Sequence, residues 1–338
     1  MYGISYEERD NMKKLFVIFA IMILLSGCTG NSNEPAIPEA PAPQAVQTES
    51  ASPASTPEET QQPGSVHYLN NFIEVPAAGI LMGEDGSVYI GVPKKLYKVT
   101  SDGEKTVFCD MSDISDVTDH TFQSPCIWDM YFDQEGNIIA AAQDRILRID
   151  PEGKAETIFK YDFSGFCGAS GIARDEEGNV YIPSGSQILK LDKDFSNEEV
   201  FIDGAKDGSH ADIYSVHFSP DYKTLYISEF SNQTLVRYTI DDMGNATNRE
   251  VLDIDFQELV QGSGNTSTPL DLVFDDYGNL YVSVDYTRYI AKLNKNDEVT
   301  LIDLKDRSIR IHMLTFNSDK SALYFSTYVG QLYCYIIP

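Results

Sequence analysis

"FDDYGNLYVSVDY" runs from Phe274 to Tyr286. It opens on acids, turns at Gly278-Asn279 and continues as a short run of β-branched and aromatic residues. This is strand–turn–strand grammar: the glycine accepts the positive φ of a tight turn, and the acid bonds the turn's own backbone. The phrase recurs as "FDQEGNIIAAAQD" from Phe132 and "RDEEGNVYIPSGS" from Arg174, and in reduced form as "GEDGSVYIGV" from Gly83. The acids at Gly86, Gly136, Gly178 and Gly278 are therefore read as hairpin chemistry rather than as ligand sites.

Working outward, each phrase sits in a longer unit of strand, acidic turn, strand, short loop, strand, polar turn and strand. Six such units open near Gly79, Ile127, Gly168, Ile213, Pro269 and Ile311, at a period of roughly 42–56 residues. Segments such as "LYVSV" are apolar at successive positions, as strands covered on both faces must be. The expected fold is all-β: a six-bladed β-propeller of four-stranded antiparallel blades. The last unit has three strands before Pro338, and "VHYLNNFIEV" (Val66–Val75) lies unassigned ahead of the first. That N-terminal strand is expected to complete the last blade and remove an open edge.

Ahead of the repeats, Lys13 and Lys14 precede an apolar run, Leu15–Leu25. The run is short for a membrane span and suits a signal peptide, with Met12 as the start of translation. It ends in Leu25-Ser26-Gly27-Cys28, which resembles the lipobox of prokaryotic lipoproteins. The resemblance implies lipidation of Cys28 and a protein held by its lipid on the outer face of the cell membrane. Residues 29–65 are rich in Pro, Ala, Ser and Thr and lack Lys and Arg, as in a disordered linker. Mostly extended at about 3.1 Å per residue, that linker reaches up to ~100 Å. The domain plan is a signal over 1–28, a linker over 29–65 and the propeller over 66–338.

The chain has 52 acids against 25 bases, a net charge of -27. Such a surface repels phosphate backbones, which excludes nucleic acid as a partner. Outside the signal stand Cys109, Cys126, Cys167 and Cys334, with no CxxC pair. Both buried thiols and disulfides fit an exported chain, and Cys126 with Cys167 is the first pair to test. Asn232, Asn245 and Asn265 each open an N-x-[ST] triplet.

The phrases "FSPDYKTLYISEFSNQTLVRY", "DEEGNVYIPSGSQILKLD" and "FDDYGNLYVSVD" resemble the regucalcin/gluconolactonase-like propellers and, more loosely, NHL-repeat propellers. The resemblance covers about residues 66–338. It implies a divalent cation, usually calcium, at the top of the axis, and metal-dependent hydrolysis of a lactone or ester. The family takes its ligands from a glutamate entering the first blade, an asparagine before a mid-chain "FSPD" and an aspartate before a later "D..GN". Here the first blade enters as Pro76-Ala77-Ala78-Gly79, Tyr214 stands at the asparagine position, and Asp271 is one residue displaced.

Aligned on the turns, Asp129 and Asp271 occupy the same place on the innermost strand, where other blades carry Gly79, Gly171, Ser215 and Met313. Two aspartates facing one channel are the candidate metal or polar-ligand site, unless each caps nearby backbone N–H groups. The long connections 112–125, 203–212 and 255–268 share the inter-blade face and add His120, His210, Asp212 and Tyr214, with Arg310 and His312 entering the last blade. The sequence thus points to a monomeric, membrane-anchored propeller with a pocket on that face. Its partner is a small polar or sugar-derived ligand, as in a hydrolase, or another protein. The lipid tether is expected to leave from the opposite face.

Overall fold

The structure is a computed structural model that describes residues 62–71, 79–114, 126–142, 144–161, 171–209, 211–260 and 267–338. Cys28, most of the linker, His120, Cys167 and His210 lie outside the described residues. No helix among the described residues is long and apolar enough to cross a membrane.

Among the described residues, twenty-four strands form six separate four-stranded sheets. Strand β1 (Val66–Asn71) comes first. Blade 1 is β2 (Ile80–Met82), β3 (Val88–Val92), β4 (Lys95–Val99) and β5 (Lys105–Asp110). Blade 2 is β6 (Asp129–Phe132), β7 (Ile138–Ala142), β8 (Arg145–Ile149) and β9 (Ala155–Lys160). Blade 3 is β10 (Ala173–Arg174), β11 (Val180–Ser184), β12 (Gln187–Leu191) and β13 (Glu198–Asp203). Blade 4 is β14 (Ile213–Phe218), β15 (Thr224–Glu229), β16 (Thr234–Ile240) and β17 (Ala246–Val251). A single turn of helix, α1 (Phe256–Leu259), leads to blade 5: β18 (Pro269–Phe274), β19 (Leu280–Val284), β20 (Tyr289–Leu293) and β21 (Val299–Asp303). Blade 6 holds β22 (Ile311–Phe316), β23 (Ala322–Thr327) and β24 (Gln331–Ile336). Its fourth strand is β1, antiparallel to β24 with Val66 opposite Tyr335 and Asn71 opposite Gln331.

The turn phrase does what its residues require. Asp275 Oδ1 accepts from the Tyr277 and Asn279 amides at 3.0 and 2.8 Å, and Oδ2 accepts from Asn279 Nδ2 at 2.7 Å. Asp133 and Asp175 hold Asn137 and Asn179 in the same way. Gly278 takes φ 77°, a region costly for any residue with a Cβ. The second strands β3, β7, β11 and β19 are buried at every position. The outer strands β5, β9 and β13 are mostly exposed or half-buried. Apolar surface is thus packed between neighbouring blades: Ile139, Ala141 and Ile146 of blade 2 meet Ile172, Val180 and Ile182 of blade 3.

Near the axis the inner strands crowd. A Cβ on Gly171 would lie 2.9 Å from Ser215 Cα, and one on Gly79 would lie 2.7 Å from Trp128 O. Glycine there is a matter of space, because the facing group is backbone and cannot swing aside.

Blades 4, 5 and 6 share a device at this level. The pairing slips between Ile213 and Ser215, between Pro269 and Leu272, and between Ile311 and Leu314. A serine on the second strand bridges each slip. Ser228, Ser283 and Ser326 Oγ accept from the Ser215, Asp271 and Met313 amides at 2.9, 3.0 and 3.2 Å. Ser228 and Ser283 then donate onward to the Leu270 and His312 carbonyls of the next blade at 2.6 and 2.8 Å. The bulge re-aims the inner strand, and the hydroxyl satisfies the amide that the ladder abandons. Blade 2 has no slip: Asp129 pairs directly with Ala141.

Candidate functional site

Two faces follow from chain direction. Each inner strand runs from the inter-blade loops to its acidic turn. The loop face therefore carries the entries to the inner strands, and the turn face carries the Asp-Gly-Asn turns. β24 runs toward the turn face, so β1, antiparallel to it, starts there.

On the loop face, Tyr214 and His312 meet: Tyr214 Oη and His312 Nε2 are 2.7 Å apart, and both residues are buried. The His312 ring lies 4.3 Å from that of Tyr328, which stacks on Tyr286 at 4.8 Å. Trp128 stands edge-on to His312 at 6.3 Å. Tyr328 donates to Asp285 Oδ1 at 2.6 Å, and burial pushes the Asp285 carboxyl up to about 6. This is an aromatic plug over the axis, wired by one buried and one half-buried hydrogen bond.

Below it lie the two aspartates. Asp129 Oδ1 accepts from the Met130 amide at 2.8 Å, and Oδ2 accepts from Ile172 of blade 3 at 2.9 Å. Asp271, 2% exposed, repeats the bond: Oδ2 accepts from Leu314 of blade 6 at 2.7 Å. Ser215 Oγ reaches Asp271 Oδ1 at 3.3 Å. Each carboxylate thus staples its own inner strand to the next blade. Burial pushes Asp129 well above the usual carboxylate range, and the Asp271 charge adds to the push. Burial takes Asp271 to about 7, against the pull of its amide donors. Both act as backbone acceptors, and the amides they satisfy belong to the adjacent blade as well as their own.

Two residues beyond Ser215 on the same side of β14 stands His217. Its Nε2 lies 3.9 Å from Asp271 Oδ1 and is buried with no hydrogen-bond partner. The side chain as a whole is 25% exposed, so the ring edge sees solvent while the nitrogen does not. Burial holds the imidazole down to about 4, which leaves it neutral near pH 7.

Asp129 and His217 line a cavity of ≈ 360 Å³ whose wall also carries Phe132, Arg174, Tyr222 and Lys320. These residues end the inner strands or sit in the turns after them, so the mouth opens on the turn face. The cavity that Asp129 lines thus opens on the turn face, while residues 115–125, 162–170 and 261–266 of the loop face lie outside the described residues. A second cavity, ≈ 410 Å³, lies on the same face between the turns of blades 4 and 5, where Arg237 is held by Glu250 and Asp297.

Of the remaining predicted residues, Asp212 is half-exposed on its loop, where its carbonyl accepts from Phe230 at 2.8 Å. Arg310 spends Nη1 on the Arg307 and Ile309 carbonyls at 2.7 and 2.9 Å. Neither lines the Asp129 cavity. Cys109, Cys126 and Cys334 are buried free thiols.

The donor set does not fit calcium, which takes six to eight oxygens. The carboxylates here turn their oxygens to main-chain amides, and the further groups beside Asp271 are the Ser215 hydroxyl and an imidazole. Among the described residues no three His, Cys, Asp or Glu side chains are grouped to hold a metal ion.

No family profile and no curated protein matches the chain by sequence. Solved structures do. A gluconolactonase from Xanthomonas campestris aligns over 81% of this chain and 89% of its own at TM-score 0.63 and 14% identity. A calcium-binding protein, regucalcin, from Agrobacterium tumefaciens aligns over 80% and 92% at TM-score 0.60 and 14% identity. Virginiamycin B lyase from Staphylococcus aureus aligns over 81% and 99% at TM-score 0.55 and 12% identity. A lactonase, a calcium-binding protein and a lyase share one architecture, so the fold does not select a reaction. The chain is a six-bladed β-propeller, built as the gluconolactonase and regucalcin structures are built.

Proposed function

We propose that this protein is a lipid-anchored, extracytoplasmic propeller that binds a small ligand in the axial cavity lined by Asp129 and His217. The observation that carries the reading is the cavity of ≈ 360 Å³ itself, with Asp129 and His217 at its inner end and aromatic rings along its sides. A concave site with apolar walls and a few polar groups at one end is the usual form of a small-ligand site. Anchoring rests on the lipobox-like Leu25–Cys28 and its basic and apolar flanks.

The regucalcin likeness favours a second reading, a calcium-dependent lactone hydrolase of the gluconolactonase kind. The donor set argues for binding over that chemistry. The test is thermal melting and lactone turnover of the full chain, each with calcium and with a chelator. Binding predicts turnover at the buffer rate and a melting temperature indifferent to calcium. Calcium-dependent turnover abolished in Asp271→Ala would reverse the choice. For anchoring, Cys28→Ala is expected to move the protein from the membrane to the soluble fraction.

A further inference from the structure

The cavity's rim says what kind of molecule enters. Arg174 ends the inner strand of blade 3, is exposed, and lines the mouth. Its guanidinium lies over the Tyr131 ring at 5.3 Å and has no carboxylate partner among the described residues. Five of the eight arginines among the described residues do otherwise. Arg145, Arg148, Arg237, Arg249 and Arg288 each pair with an acid. With 52 acids against 25 bases, carboxylates to neutralise a surface arginine are abundant. A guanidinium that is stacked on a ring and left facing a cavity is pre-organised for a planar, bidentate anion.

The other walls narrow the class. Lys320 is fixed across the mouth by the Phe274 carbonyl at 3.0 Å and Asp276 at 2.9 Å, so its charge is already balanced. Tyr131, Phe132, Phe218 and Phe274 make the sides apolar and aromatic. Asp129 and His217 make the inner end polar. The volume of ≈ 360 Å³ is at the small end for ligand sites. One cation at the rim, rings along the sides and a hydrogen-bonding end describe a short molecule with an anionic head, an apolar body and a polar tail.

We propose that the turn-face cavity binds a small organic carboxylate with a flat apolar body. Its carboxylate pairs with Arg174 at the rim and its far end meets the polar inner end formed by Asp129 and His217. This rests on the axial-cavity reading above and adds the ligand's class. It also sets the site on the face opposite the aromatic plug of Tyr214, His312 and Tyr328.

The experiment is calorimetric titration of the detergent-solubilised full chain with 4-hydroxybenzoate, its methyl ester, benzoate and inorganic phosphate. The acid is expected to bind saturably, and the ester at least tenfold more weakly, since a charge-assisted pair is worth about 1.5–3 kcal/mol. Arg174→Gln should weaken the acid by a similar factor and leave the ester unchanged. 4-Hydroxybenzoate should bind more tightly than benzoate, because its hydroxyl reaches the polar inner end. If acid and ester bind alike, or Arg174→Gln leaves the acid untouched, the carboxylate class is wrong while the axial site stands. Phosphate that binds as well as the acid means a plain anion site and also overturns it. If none of the four binds, the carboxylate proposal falls; if melting is also unmoved by neutral lactones, the axial-site reading falls with it.

Discussion

His217 Nε2 stands 3.9 Å from Asp271 Oδ1 across the boundary between blades 4 and 5, and burial displaces the two groups in opposite senses. Both are held toward their neutral forms. The imidazole sheds its proton early, and the carboxyl keeps its proton late.

Opposite stability slopes follow. His217 has a folded value near 4, below its ordinary 6.5, so the unfolded chain binds the extra proton between those values. Stability from this group therefore falls as pH drops from 6.5 toward 4. Asp271 has a folded value near 7, above its ordinary 3.8, so here the folded chain holds the extra proton. Stability from this group falls as pH rises from about 4 to 7. His217→Gln is expected to melt above wild type at pH 5 and level with it at pH 8. Asp271→Asn should show the reverse: a gain at pH 8 that shrinks toward pH 4. Melting curves of the three proteins across that range check both signs.

The carboxylate staples can be separated from any ligand role. Asp129→Ala leaves the Ile172 and Met130 amides without their acceptor, a cost of about 1–3 kcal/mol for each buried amide left unsatisfied. Asp129→Asn keeps one carbonyl oxygen and should recover part of the loss. Urea denaturation at pH 7 measures the difference. Equal stability of the alanine variant and wild type would contradict a bridging role.

Gly171→Ala puts a methyl 2.9 Å from Ser215 Cα, with no flexible side chain to yield. The blade 3–blade 4 contact must open, and destabilisation of about 1–3 kcal/mol is expected. Gly103→Ala is the control for solvent-facing space, since nothing lies within 4 Å of a Cβ there, although its φ of 87° still carries a backbone cost.

Removing residues 62–71 strips β1 from β24 and leaves Gln331–Ile336 as an open edge. Five of those six positions are buried in the intact blade. Such an edge pairs with other chains, so the truncated protein should elute as dimers or larger species where the full domain does not. Size-exclusion chromatography with light scattering distinguishes the outcomes.

The blades were legible because hairpin turns have strong local chemistry. Asp133, Asp175 and Asp275 announce themselves through the Gly-Asn that follows each. The equivalence of Asp129 and Asp271 was also legible from turn alignment, and both open the same bond to the next blade. The sequence did not reveal that these oxygens would be spent on Ile172 and Leu314, because that depends on inter-blade spacing. His217 was missed although alternation carries a signal for it: it lies two residues past Ser215 and so on the same side of β14. The bulges bridged by Ser228, Ser283 and Ser326 have no local signature, since serine in a strand is ordinary. The turn-face cavity is not legible in the sequence, because it forms where Arg174 ends its strand and Tyr222 sits in its turn, and only the packing of blades brings them together.

Blade 6 takes its outermost strand from the beginning of the propeller and its other three from the end. During synthesis β1 must therefore wait, unpaired, until the final strand has emerged. Blades 1 to 5 are each contiguous in the chain and can form in order as they appear, but the circle is sealed by the pairing most distant in sequence, and such pairings form slowly. A stop anywhere within the last blade would leave two sticky borders, one at each end of an otherwise finished molecule.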